Sequence, residues 1–218
     1  MTLKSALTDE YYRKSTWVNV FNIFFHEMTG INVIFLYSNT ILRNIIKPDS
    51  KFTPTEGTYA ISAANFLASC VSIKTVRTFG RRPLQVWGYF LMGVSHTLIA
   101  VFSITNIDAG VLIMICVFIF IYQNTSGPVA WVYTAETVVD AALGLCIQVL
   151  WLTVFVLTLT SESLMDSALH PAGVFLLFAT FCFAGTVFAW YYICETMGLT
   201  EKEKKTLYVP GAKKAFEK

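Results

Sequence analysis

The residues best able to do chemistry are crowded into one apolar run near the start of the chain. Between Trp17 and Leu42 stand Asn19, Asn22, His26, Glu27, Thr29, Gly30, Asn32, Ser38 and Asn39. An ionised carboxylate near the middle of a bilayer costs roughly 2.5–3.5 kcal/mol even on the permissive insertion scale, so Glu27 reads as a functional or docking group. Neighbours in a helix diverge by about 100°, so one of His26 and Glu27 can face a cavity while the other packs inward. Gly30, flanked by polar groups, predicts a helix broken or bent at membrane depth. Such breaks are tolerated only where the chain lines a cavity or packs against protein. A second polar interruption, Gln123-Asn124-Thr125-Ser126-Gly127-Pro128, predicts a second broken helix. His96 reads as an interhelical hydrogen-bonding group rather than a ligand. The five cysteines all fall in apolar runs without CxxC or Cys/His spacing, so they read as small buried hydrophobes, and neither a metal site nor a disulfide framework is expected. There is no nucleophile–base constellation and no phosphate loop, so no catalytic residue, no cofactor and no enzyme activity is expected.

The elements that must carry these residues are membrane helices. Of 218 residues 55% are hydrophobic and only 14% charged, more apolar surface than a soluble domain of this size can bury. Measured against the ~20 residues that cross a bilayer, six segments qualify, near 17–42, 59–76, 84–104, 110–133, 141–159 and 172–193. A polar N-terminal segment (1–16) lacks the apolar core of a secretory signal. Pro48 and Pro54 mark a loop after the first span, and the Lys-rich tail 194–218, with its TEKEKK run, is expected to be solvated. Trp17, Trp87 and Trp190 read as interfacial anchors. The aromatic-rich last span reads as a lipid- or protein-facing surface. Six crossings place both termini on one side, and that side collects 13 of the 16 basic residues. By the positive-inside rule it is the cytoplasm, or the matrix if the membrane is mitochondrial. A net charge of +2 without a basic stripe gives no reason to expect nucleic acid. Membrane lipid is the expected surrounding, and the tail lysines could meet anionic headgroups. The two interrupted helices open two consecutive three-helix sets, the pattern of an inverted three-plus-three repeat around a midplane site.

Four segments resemble the sugar porter family of the major facilitator superfamily. FFHEMTGINVIFLYSNTI (24–41) is similar to the family's seventh-helix segment, RTFGRRPL (77–84) to its D-x-x-G-R-R-P-L loop, GPVAWVYTAET (127–137) to G-P-x-P-W-x-x-x-x-E-I, and CETMGLTEKE (194–203) to P-E-T-K-G-L-x-x-E. They occur in the family's order and spacing, but cover only the C-terminal half of its pattern. The fold implied is an all-α membrane bundle of about six helices, half of a major facilitator fold. The resemblance implies a substrate-binding role, vestigial or altered, for His26, Glu27, Asn32 and Trp131. Asn32 suits a sugar hydroxyl and Trp131 offers a face for a pyranose ring. It implies an inner gate in which Arg81 and Arg82 pair with Glu136 and Glu195, with Gly80 permitting a tight turn. The departures are substantial. His26 and Glu27 replace paired glutamines, Arg77 reverses an aspartate, and Ala130 replaces a proline. Val139 and Leu143 stand in the P-x-x-x-R places, Leu150 and Val154 flank Trp151 where asparagines belong, and Cys194 and Met197 replace proline and lysine.

Much of the sugar-binding and charge-gating set is therefore missing. A lone half would present its cavity face, His26 and Glu27 included, to lipid, so other membrane-protein subunits are expected to cover the polar face of the first helix. The first expectation is a degenerate half-transporter serving as a structural or accessory subunit of a larger complex, with a respiratory-chain assembly of the mitochondrial inner membrane as one home. The alternative is an active sugar or small-solute transporter, as a homodimer or with a separate N-terminal half.

Overall fold

The computed structural model of the protein describes residues 3–45, 53–167 and 170–209. Those residues form helices only. A short α1 (Leu3–Thr8) leads into α2 (Glu10–Glu27) and α3 (Ile31–Ile45), which together make the first span. Then come α4 (Pro54–Thr78), α5 (Arg81–Ile104), the pair α6 (Asp108–Asn124) and α7 (Ser126–Thr137), α8 (Asp140–Asp166), α9 (His170–Tyr192) and a short α10 (Glu201–Thr206). Among the described residues, six spans are long and apolar enough to cross a membrane. They fall into two sets of three, and each set opens on a broken helix.

Both breaks sit where the residues require them. Gly30 has φ +79°, a left-handed backbone that costs a side-chain-bearing residue roughly 1–2 kcal/mol. A Cβ there would also lie 2.7 Å from the Phe178 ring. The carbonyls freed by the break are answered from nearby. Thr29 Oγ1 donates to His26 O at 2.7 Å, and His96 Nε2 of α5 meets Thr29 O at 2.8 Å. His96 is thus the interhelical group expected, ringed by Phe118, Phe175 and Phe178. The second break falls at Thr125, and Pro128 explains it: its ring nitrogen cannot donate back to Asn124 O. Gly88 lets α5 approach that break, since a Cβ there would lie 2.4 Å from Thr125 Oγ1.

The most extensive interface joins α5 to α9. It gives the last span a second role beyond an outward surface: Val174, Phe175, Phe178, Ala179, Cys182 and Ala189 are core. Three further expectations change. Pro54 is not loop; it is the first residue of α4, behind a capping box in which Thr53 and Glu56 bond each other's backbone. The segment holding Pro48, Lys47 and Lys51 lies outside the described residues. Cys70 faces outward rather than into the core, whereas Cys146 and Cys182 are buried. The TEKEKK tail is not free in solvent. It forms α10, again behind a capping box (Thr200 and Glu203), and Leu207 and Tyr208 beyond it are buried.

Candidate functional site

The first cluster forms at the break between α2 and α3. One face of α2 carries Ser15, Asn19, Asn22 and His26, all buried, and Glu27 follows at 3% exposure. Glu27 Oε2 accepts a bond from Asn32 Nδ2 across the Gly30 corner. Its other oxygen lies 3.7 Å from His26 Nε2. That nitrogen is also 3.0 Å from Tyr122 Oη on α6, and His26 Nδ1 is 3.3 Å from Ser126 Oγ on α7. Tyr89 of α5 closes the cluster, with Oη 3.5 Å from Asn22 O. The second broken helix supplies Tyr122 and Ser126, so the two breaks meet at one place, as a shared midplane site requires.

The expectation that His26 and Glu27 would face outward is corrected here. Both are enclosed by the chain's own helices, and the polar side of α2 is turned inward. Trp131 is also separated from them. It is 44% exposed and lines a shallow cleft with Ile23, Leu143, Cys146, Ile147 and Leu150, without a bond to Glu27 or Asn32. His26, Glu27 and Asn32 come together; Trp131, on α7, lines the cleft beside Ile23, about one turn of α2 before His26.

The charged residues form a second cluster at the opposite end of α7. Glu136 Oε1 lies 3.3 Å from Arg81 Nη2 and 3.0 Å from Lys204 Nζ, while its Oε2 accepts from Thr196 Oγ1 at 2.7 Å. Glu195 caps α5, accepting the backbone N–H groups of Arg81 (2.9 Å) and Arg82 (3.2 Å) where the helix dipole favours an anion. Gly80 has an ordinary φ of −64°, so no turn demands it. It is needed because a Cβ there would lie 2.2 Å from Glu195 Oε2. Arg82 itself turns away from the acids: it donates to Trp190 O at 2.8 Å and lies over the Trp190 ring. All four charged residues expected at the gate are therefore neighbours, with Arg81 alone of the two arginines making a side-chain ion pair to Glu136.

Sequence reasoning missed the tail's share in this cluster. Lys204 bonds Glu201 as well as Glu136, and these two contacts, Glu201 first, hold its ammonium above its ordinary range. Lys205 donates to the C-terminal carbonyls of α7, Ala135 O at 2.7 Å and Val138 O. Tyr133 and Tyr208 share a hydroxyl contact, and Tyr208 also donates to Tyr192 O at 2.8 Å. The T-x-x-E of residues 200–203 was the available signal, because it marks a helix start rather than a solvated run.

The family model for sugar (and other) transporters matches residues 1–208. The chain is 28% identical to hexose transporter HXT10 of Saccharomyces cerevisiae, over 84% of this chain and 35% of that protein. It is 26% identical to the high glucose sensor RGT2 of the same yeast, over 84% of this chain and 25% of that one. In fold it superposes on a crystal structure of a double Trp mutant of XylE with a TM-score of 0.82 at 20% identity, covering 94% of this chain and 47% of that one. The chain thus spans half or less of the length of the proteins it matches, and its six spans correspond to half of a major facilitator fold. With an all-helical six-span bundle and a family match over nearly its whole length, the chain belongs to the sugar (and other) transporter family.

Proposed function

We propose that this chain acts as a membrane-embedded accessory subunit, no longer transporting, that docks onto another polypeptide through the outer face of α4. One observation carries the reading. Among the six spans α4 is the least buried and also the least apolar. A span left to lipid should be the most apolar, because hydrocarbon offers polar groups no partner. Along α4, Ser62, Phe66, Leu67, Cys70, Ile73 and Lys74 all face outward. That mixture suits a protein surface. The binding chemistry agrees: the replacements for the paired glutamines bond to Tyr122, Ser126 and Asn32 rather than offering themselves to a solute. One relative is named as a sensor, so the family's fold is also used without being named a transporter.

A photo-crosslinking residue at Phe66 or Ser62 tests this directly in native membranes. The expected result is a stoichiometric adduct with one other polypeptide. Co-migration with a respiratory-chain assembly would place the chain in the mitochondrial inner membrane. Adducts to lipid alone would overturn the reading. Both termini are proposed to lie on the side rich in lysine and arginine, and protease protection of terminal epitope tags checks it.

A second reading, transport of a sugar or other small solute together with a complementary half, is favoured by Asn32. That residue is only half-buried, sits beside Glu27, and belongs to the segment that resembles the family's seventh helix. Uptake by reconstituted vesicles that is lost in Asn32→Ala would establish it.

A further inference from the structure

A file of buried side chains with unanswered polar atoms lies between the two clusters. On α2, Asn22 has neither amide atom bonded, and Asn19 Oδ1 is also unpaired. On α5, both amide atoms of Gln85 are unpaired, as is Arg81 Nε. On α7, Thr134 Oγ1 has no partner. Asn19, Asn22, Gln85 and Thr134 are all at most 1% exposed. An unanswered buried polar group costs about 1–3 kcal/mol, and native structures answer most such groups with protein or with ordered water. Their positions are not scattered. On α5, Arg81, Gln85 and Tyr89 follow at four-residue intervals and share a face. On α2, Asn19, Asn22 and His26 do the same at intervals of three and four. Tyr89 Oη lies 3.5 Å from Asn22 O, which joins the two series at that depth. Asn19 Nδ2 donates to Thr137 Oγ1 at 2.8 Å, one turn of α7 from Thr134. Read along the helices, the series on α2 runs from His26 through Asn22 to Asn19 and that on α5 from Tyr89 through Gln85 to Arg81, which is paired with Glu136; Thr134 of α7 lines the cleft that also holds Trp131.

We propose that Glu27 and His26 form a proton-exchange site, and that bound water along this file carries protons between it and the aqueous phase at the Arg81–Glu136 end. Unpaired donors and acceptors at successive turns of α2 and α5 are what a chain of buried waters needs, each water taking two to four polar partners. The proton moves from water to the Glu27 carboxylate or the His26 imidazole and returns the same way, with no bond to carbon made or broken. The groups facing the pair are Asn32 of α3, Tyr89 of α5, Tyr122 of α6 and Ser126 of α7, and Cys182 of α9 belongs to the same buried core as Tyr89. The other ionisable groups among them are two phenols and a thiol. The inference stands on the buried file and holds whether or not the chain moves a solute.

Infrared difference spectroscopy on the whole chain in lipid vesicles, perfused alternately with acidic and neutral buffer, tests the site and the path separately. A protonated-carboxyl band that titrates, and is lost in Glu27→Gln, is expected. Transfer to heavy water should shift that band within the mixing time in the wild type. Asn22→Leu or Gln85→Leu plugs the file, and either should slow the shift by roughly tenfold or more, the factor given by about 1.4 kcal/mol on the barrier. Asn22→Ser and Gln85→Ser retain a water partner and should restore the fast shift. Helical content and melting confirm that each variant is folded; because the two leucine variants lie on different helices, either suffices. Absence of a titrating band assignable to Glu27, or a shift equally fast in a folded leucine variant, overturns the proposal.

Discussion

Gly30 and His96 serve one feature from two spans. Gly30 supplies the left-handed corner and the room for Phe178; His96 answers the carbonyl that the corner leaves open. Gly30→Ala should therefore destabilise the bundle by about 1–3 kcal/mol, from backbone strain plus overpacking against Phe178. A thermal melt in detergent, read against the equivalent change at exposed Gly144, checks it, because a Cβ at Gly144 meets nothing within 4 Å. His96→Leu should cost about 1–3 kcal/mol by stranding Thr29 O, while keeping the apolar contacts of the ring's site. The break was legible from Gly30 and its polar neighbours. The inward closure of His26 and Glu27 was not, because it depends on Tyr122 and Ser126 arriving from about a hundred positions away. Local polarity says that a group needs a partner; it does not say that the chain's own second broken helix provides one.

At the scale of elements, the Glu136 cluster ties α5, α7 and α10 together. Gly80→Ala would push a Cβ into the Glu195 carboxylate and release the cap on α5, at a cost of about 0.5–2 kcal/mol for a lost anion at a helix N-terminus. Tyr208→Phe should loosen the tail by about 1–2 kcal/mol through loss of the hydroxyl's contacts with Tyr133 and Tyr192. Limited proteolysis reads both: cleavage within 195–209 should accelerate in each variant while the membrane spans stay protected. Six spans were legible because apolar length is a one-dimensional property. Their ends were less so, since hydropathy ignores amphipathic extensions: the first span begins at Glu10 rather than near Trp17, and α4 begins at Pro54. Both capping boxes, Thr53 with Glu56 and Thr200 with Glu203, are short patterns that do fix helix starts, and they outweigh a charged run as evidence about the tail.

For the whole molecule, a bilayer changes what burial means. Outward apolar side chains on α8, among them Trp151, Leu152, Phe155 and Leu159, need no protein cover, because lipid satisfies them. The surface of α4 is the exception, and it replaces the polar side of α2 as the proposed docking face. The polar side of α2 is buried by the chain's own helices, so polarity at membrane depth there no longer asks for a partner, and the proposal of one rests on α4 instead. Hydrophobicity patterns locate a polar span without showing which of its sides the bundle already covers. Purifying the tagged chain from its own membranes in mild detergent, and determining the mass and composition of the native particle, tests the central claim most directly. A stoichiometric particle containing unrelated polypeptides, one of them crosslinked from Phe66, is the result predicted. A particle containing this polypeptide alone that restores sugar uptake to vesicles would contradict it.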